Sequence, residues 1–353
     1  SKDGVNFDKY DLNPIIDTKD IPSCASIYDF RDPCIFKKNG KLYIIVGSKS
    51  KDEKEAMLVL YEGEDIFHFH FLKKLVSSDK FGTMFECPNL VSFEDNNYII
   101  MSPQNIKEKD GNFANVSSCV YFKLKGDFIH EEQTIEKVKE IDHGLEYYAP
   151  TVYDDEKILV NWVQMWGRRY YLDEIHNDFI NTFSLFKKIK EKNGVLSFTP
   201  LSLENYVTEK KIEKIKLNGE SQTYHNCHVH YQVKFEKDEE LCLTLEFFDS
   251  KRDKVNFVID CKNNIYQLDR SNVSIPLNGV EDSYAKDGKR YLKKEIPSNC
   301  VIDIYIDNAY VEIYFDNFEE GFSFINFSKE DGFSLKSNKL VEISLLSENI
   351  EVK

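Results

Sequence analysis

The chain has 353 residues, with 61 acidic and 46 basic side chains and a formal charge of −15. This charge excludes nucleic acid as the main partner, since that role needs a basic face. No apolar run nears the ~20 residues of a membrane-crossing helix. Apolar residues make up 41 %, and 26 Phe and 20 Tyr mark a strand-rich chain long enough for two domains and a sizeable core. The eight cysteines include no CxxC pair. That argues against a zinc site of ordinary spacing and for free thiols in a reducing, cytoplasmic compartment.

Residues 1–27 read as an outer strand or connector. The stretch Tyr28-Asp29-Phe30-Arg31-Asp32-Pro33-Cys34-Ile35-Phe36 follows. A buried lone carboxylate is costly and proline suits a strand's first residue, so Arg31 and Asp32 are expected on a lip where a strand begins. Asn39-Gly40 predicts a hairpin turn, with Leu42–Ser48 as the returning strand. The unit recurs as Glu86-Cys87-Pro88-Asn89 and as Tyr148-Ala149-Pro150-Thr151, each followed by a turn and a second strand. Pro33, Pro88 and Pro150 are 55 and 62 residues apart. A strand-rich repeat of this length reads as one propeller blade per unit, with each first strand lining the central channel. Asp32, Glu86 and Tyr148 would then converge on one axis, and two carboxylates at a channel mouth are the equipment of glycoside hydrolysis.

Further along, residues 170–178 read as a long loop near that mouth, and Phe183 to Phe198 as a hairpin turning at Asn193-Gly194. The charged, weakly patterned stretch 206–221 reads as a linker. From Tyr224 onward, short alternating strands at even spacing predict a β-sandwich. The expected division is a propeller domain over 1–205, a linker over 206–221 and a sandwich over 222–353. His228 and His230 share a strand face but have no evident carboxylate cluster nearby, so a solvated face is preferred to a metal site. Leu268-Asp269-Arg270-Ser271 is expected to hold a structural ion pair. Trp162 reads as blade core and Trp166 as a sugar-stacking rim.

Arg31-Asp32-Pro33 and Glu86-Cys87-Pro88 resemble the two signature motifs of glycoside hydrolase family 32, the invertases, sucrose-6-phosphate hydrolases and fructanases. Ser1-Lys2-Asp3-Gly4 with Asn13-Pro14-Ile15-Ile16, Tyr148-Ala149-Pro150-Thr151, and the strands around Arg270 and Asp307–Phe315 extend the resemblance over nearly the whole chain. It implies an all-β fold, a five-bladed propeller followed by a β-sandwich, and a retaining mechanism on β-fructofuranosyl bonds without metal or organic cofactor. By the family's pattern Glu86 is the general acid/base, Asp32 the transition-state stabiliser, and Arg31 its neighbour in the sugar pocket. Tyr148, Trp166 and Glu146 are the further expected substrate contacts. Expected partners are sucrose, sucrose 6-phosphate or fructo-oligosaccharides, with neither nucleic acid nor membrane.

The sequence also departs from the pattern. The family's nucleophilic aspartate lies in a Trp-Met-Asn-Asp-Pro-Asn-Gly-like motif that is missing here. The expectation is that the first blade and the start of the second, about a hundred residues at ~50 per blade, lie outside this chain. Phe186-Lys187-Lys188 stands where Pro-Arg-Glu is usual, and Glu146 where aspartate is commoner. A degenerate homologue that binds fructosides without cleaving them is the alternative. A five-bladed glycosidase acting on arabinose or xylose polymers ranks third.

Overall fold

The computed structural model describes residues 1–168, 182–248, 253–274, 288–327 and 332–351. The chain is all-β, as its composition and turn spacing predict. Among the described residues, helix is confined to two single 3₁₀ turns, Thr18–Asp20 and Glu204–Tyr206.

Among the described residues, the N-terminal part forms three propeller-like sheets. The first holds β1 (Ala25–Lys38), β2 (Lys41–Ser50), β3 (Ala56–Gly63) and β4 (Phe69–Ser78), paired in chain order. Its opening turn puts Asn39 and Gly40 at φ 51° and 82°, the two positive values that a tight I′ hairpin requires. The second holds β5 (Met84–Ser92), β6 (Asn97–Gln104), β7 (Val120–Leu124) and β8 (Lys139–Glu140), again in order. In the third, β9 (Tyr148–Tyr153) pairs with β10 (Ile158–Val163), which also pairs with β11 (Thr182–Phe183) and β12 (Lys187–Lys192); β13 (Val195–Pro200) closes the sheet. The expected hairpin at Asn193-Gly194 is the β12–β13 turn.

Successive sheets pack face to face. Ile45, Leu58, Phe85, Ile99 and Phe122 fill the space between the first two. Tyr98, Ile100, Tyr121, Leu159 and Phe198 fill it between the second and third. Gly47 allows β2 to approach β5 closely, since a Cβ there would sit 2.2 Å from the Phe85 carbonyl oxygen.

The first strands β1, β5 and β9 lie side by side, and each carries the same irregularity. Asp32, Cys87 and Ala149, the residues just before Pro33, Pro88 and Pro150, have φ of 58°, 49° and 49°. The ladder slips there in all three sheets. A bulge explains the proline: it leaves a position where no N–H is needed and re-aims the neighbouring side chains. This corrects the expected lip, because β1 begins at Ala25 and runs through Arg31 and Asp32.

Among the described residues, the C-terminal part is one hydrogen-bonded sheet of ten strands that curls on itself. It comprises β14 (Val207–Glu220), β15 (His228–Glu236), β16 (Cys242–Phe248), β17 (Lys254–Asp260), β18 (Ile265–Asp269), β19 (Lys289–Lys293), β20 (Asn299–Asp307), β21 (Tyr310–Phe315), β22 (Glu320–Ile325) and β23 (Phe333–Ile350). The long β23 joins the layers: Phe333 to Ser337 pair with β16, and Ile343 to Asn349 pair with β15. Tyr231, Leu245, Phe257, Ile304, Phe322 and Leu335 lie in the enclosed core.

Residues 206–221 are therefore not a linker. Val207–Glu220 is a strand paired with β23 from Ile350 down to Lys336. Its charges misled the sequence reading because it is an edge strand with a mostly solvated surface, where Lys210 meets Glu348 at 2.6 Å and Lys216 meets Glu342 at 3.3 Å.

The two parts are joined along 141–146, which runs beside β22. His143 and Leu145 donate their N–H groups to Gly321 and Ser323 carbonyls at 2.8 and 2.7 Å. Gly144 permits this approach, since a Cβ there would lie 2.0 Å from the Ser323 oxygen. Buried ion pairs flank the seam: His143 with Glu320 at 2.9 Å and Lys187 with Glu312 at 3.1 Å.

Candidate active site

Arg31, Glu86 and Tyr148 each stand two residues before the proline of their bulge, so they occupy equivalent places on β1, β5 and β9. The structure brings all three together. Arg31 donates to Glu86 Oε1 from Nη2 at 2.8 Å and from Nε at 3.2 Å. The Tyr148 hydroxyl donates to Glu86 Oε2 at 2.6 Å. One place further on, Asp32 accepts the Cys87 N–H at 3.0 Å through Oδ2. Glu86 is only 5 % exposed, whereas Arg31 and Asp32 are half-buried.

Burial, then the neighbouring Glu86 charge, push the Tyr148 phenol far above its ordinary range. It keeps its proton and remains a donor. The Trp166 indole lies against that hydroxyl, with ring centroids 6.4 Å apart. Trp166 is 56 % exposed, as a rim would be, and Trp162 packs beside both rings at 5.6 and 5.9 Å.

Several supporting residues escaped the sequence reading. Asp29 holds the far side of Arg31 at 2.9 Å and meets Lys49 at 3.1 Å. Burial raises the Asp29 carboxyl, but these two cations outweigh it and leave it below the usual range. Asn89 donates to the Cys87 and Pro150 carbonyls, both at 2.8 Å, and accepts the Val152 N–H at 3.0 Å. It stitches β5 to β9 just behind the site. The signal available was Asn89 directly after the motif proline, at a position a plain strand would give to an apolar residue.

Glu146 does not join the group. It is fully buried, and both its oxygens are taken: Arg270 at 2.8 and 2.9 Å, Arg168 at 2.8 Å and the Ile325 N–H at 2.9 Å. Burial raises its carboxyl, yet Arg270 and Arg168 bring it below the usual range. The expectation of a sugar contact gives way to an ion pair within the fold. The expected structural pair at Arg270 has Glu146 as its partner, 124 residues away.

His230 is also not on a solvated face. It lies between Asp303 at 2.9 Å and Glu348 at 2.8 Å, stacked on Tyr305 at 4.3 Å. Among the described residues, no group of three or more His, Cys, Asp or Glu side chains is placed to hold a metal ion. All eight cysteines are free thiols. The loop expected over 170–178 lies outside the described residues.

Chemically, the arrangement offers a shielded carboxyl flanked by a cation and a neutral donor, a second carboxylate beside it, and an aromatic rim. Residues 1–200 match the model of the glycosyl hydrolases family 32 N-terminal domain. Sucrose-6-phosphate hydrolase of Streptococcus mutans is 26 % identical over 322 residues, covering 88 % of this chain and 64 % of that protein. The Bacillus subtilis enzyme of the same name is 28 % identical over 171 residues, covering 46 % and 34 %. The matched part thus spans between about a third and two thirds of these curated relatives. A GH32 beta-fructofuranosidase of Bombyx mori superposes with a TM-score of 0.82 at 22 % identity, covering 99 % of this chain and 71 % of that one. Sucrose-6-phosphate hydrolase from Lactobacillus gasseri gives 0.80 at 20 %, covering 94 % and 67 %. The structural likenesses carry the fold, and the family model spans more than half of the sequence together with the bulged strands that build the Arg31–Glu86–Tyr148 group. The chain belongs to glycosyl hydrolase family 32.

Proposed function

We propose that this chain carries the sugar-holding and acid/base side of a retaining β-fructofuranosidase site, acting on sucrose, sucrose 6-phosphate or short fructans. The observation that carries this reading is the meeting of Arg31, Asp32, Glu86 and Tyr148 at three equivalent bulges. Glu86 protonates the glucosyl oxygen as it leaves and then takes a proton from the incoming water. Arg31 stabilises the carboxylate that remains after the proton is given up. Asp32 holds fructosyl hydroxyls, most strongly as the ring becomes oxocarbenium-like. Trp166 and Tyr148 form the wall on which the sugar rests. Chemistry of this kind calls for neither metal nor organic cofactor, and the free thiols suit a reducing, cytoplasmic setting.

A retaining reaction also needs a carboxylate nucleophile, and the motif expected to supply it is missing from this sequence. The second reading is fructoside binding without cleavage. Fructose release from sucrose, sucrose 6-phosphate and a short fructan tests both readings, with β-fructosyl fluoride as an activated substrate. For a hydrolase that also carries the nucleophile, Glu86→Gln abolishes sucrose cleavage but spares the first step on the fluoride, whose leaving group needs little protonation. Equal losses on both substrates remove Glu86 from the acid role. Binding of sugar with no fructose release supports the second reading.

A further inference from the structure

We infer that Arg270 of the C-terminal sheet is a positioning residue for the Glu86 site, acting through Glu146 and Arg168 on Tyr148 and Trp166. Arg270 reaches 124 residues back along the chain to grip both oxygens of Glu146, and its Nη1 also donates to the Ile325 carbonyl at 2.8 Å. Glu146 stands two residues before Tyr148. It shares its Oε1 with Arg168, which stands two residues after Trp166. Arg168 also donates to the Leu145 carbonyl and, at 2.9 Å, to Asn115 Oδ1. One fully buried carboxylate therefore ties together the segment that delivers Tyr148, the turn that delivers Trp166, and the C-terminal sheet.

The consequence is mechanical. A bidentate guanidinium–carboxylate pair fixes direction as well as distance, and the Tyr148 hydroxyl must stay on Glu86 Oε2 at 2.6 Å. The Glu86 carboxylate would thus be aimed in part by a residue of the C-terminal sheet. The general value of that arrangement is preorganisation: misplacement by about 1 Å at a site can cost about a hundredfold in rate.

The chain's two tryptophans, Trp162 and Trp166, both sit at the site, so intrinsic fluorescence reports on it directly. The experiment compares the full chain with Arg270→Lys and Arg270→Gln, and with Glu320→Gln as a control that weakens the same seam at His143. Tryptophan emission and acrylamide quenching are read without sugar, then during titration with D-fructose, alongside thermal unfolding. The inference predicts altered quenching and about tenfold weaker fructose binding in Arg270→Gln. Arg270→Lys should recover part of both, and the control should lose only melting temperature. Parent-like emission, quenching and affinity in both Arg270 variants would overturn the inference, as would the same optical change in the control. Should the Arg270 variants fail to unfold cooperatively, Glu146→Gln, which keeps shape and an acceptor oxygen, must show the altered quenching, and parent-like quenching there overturns the inference. The sugar arm rests on the fructosidase reading. A parent that binds no fructose defeats that reading, while the sugar-free arm still decides the role of Arg270.

Discussion

Replacing Asp142 by asparagine should stabilise the protein at neutral pH, which is unusual for a change to a fully bonded buried side chain. Asp142 is 3 % exposed at the seam. It accepts the Gly144 and Ser323 N–H groups at 2.8 and 3.0 Å through Oδ1, and the Ser323 hydroxyl at 2.7 Å through Oδ2. Burial nevertheless wins, and raises its carboxyl from the ordinary 3.8 to about 6. A raised carboxyl means that the fold prefers the neutral form. Its favourable contribution is complete below about 3.8 and is lost as pH rises through about 6. At ~1.4 kcal/mol per pH unit, the charged form costs about 3 kcal/mol near pH 7. Asparagine keeps the Oδ1 acceptor for both backbone donors. Its Nδ2 can donate to Ser323 Oγ, whose own proton then turns to the neighbouring buried Tyr310 hydroxyl. Urea unfolding at pH 4 and at pH 8 measures the gap between the two proteins. The variant should gain up to about 3 kcal/mol at pH 8 relative to its standing at pH 4. A gap of the same size and sign at both pH values would refute the reasoning.

Three other outcomes follow from the same geometry. Gly144→Ala should cost about 3 kcal/mol or more, because the new Cβ meets backbone rather than a movable side chain; a melting temperature equal to the parent's would contradict this. His143→Gln should cost up to about 3 kcal/mol near pH 6, because buried Glu140 loses its cation and Glu320 is left with Lys294 and Lys139 alone. Burial lowers His143, but Glu140 and Glu320 outweigh it and hold it up to about 10, while the His143 cation and its neighbours, against burial, hold Glu320 down to about 2. In pH-dependent unfolding the deficit should therefore shrink as pH rises through about 10, where the His143 contribution is lost, and as pH falls through about 2, where that of Glu320 is lost. In an enzyme that also carries the nucleophile, Asp32→Asn should lower kcat on sucrose about a hundredfold with little change in KM, since its bonds strengthen in the transition state; a raised KM with unchanged kcat would exclude that role.

The propeller-like half was legible because its repeat is written locally. Each proline marks a bulge, and the bulge sets which residues face the axis. Spacing groups Asp32 with Glu86 and Tyr148 on one axis, although the residue that shares their offset from proline, and so their place in the sheet, is Arg31. What spacing cannot show is who pairs with whom over long distances. Glu146 looks like a sugar contact because it lies two residues from Tyr148, but its partner Arg270 is far along the chain. The edge strand Val207–Glu220 looks like a linker because its charges find partners only when β23 returns beside it. His230 looks solvated until Asp303 and Glu348 arrive from β20 and β23. Each miss involves a charged group whose energy depends on a distant strand, where local pattern carries no information.

The central claim is that the Arg31–Asp32–Glu86–Tyr148 group binds a fructosyl ring, and a crystal structure of the full chain soaked with fructose tests it most directly. The account predicts a furanose ring against Trp166, with hydroxyls on Asp32 and the anomeric oxygen within reach of the Glu86 carboxyl. It further predicts that Asp32→Asn and Glu86→Gln crystals keep the fold and change only the sugar's contacts. Fructose bound elsewhere, for example in the groove between Lys214, Lys234 and Glu342 on the C-terminal sheet, with the Glu86 group left empty, would contradict it.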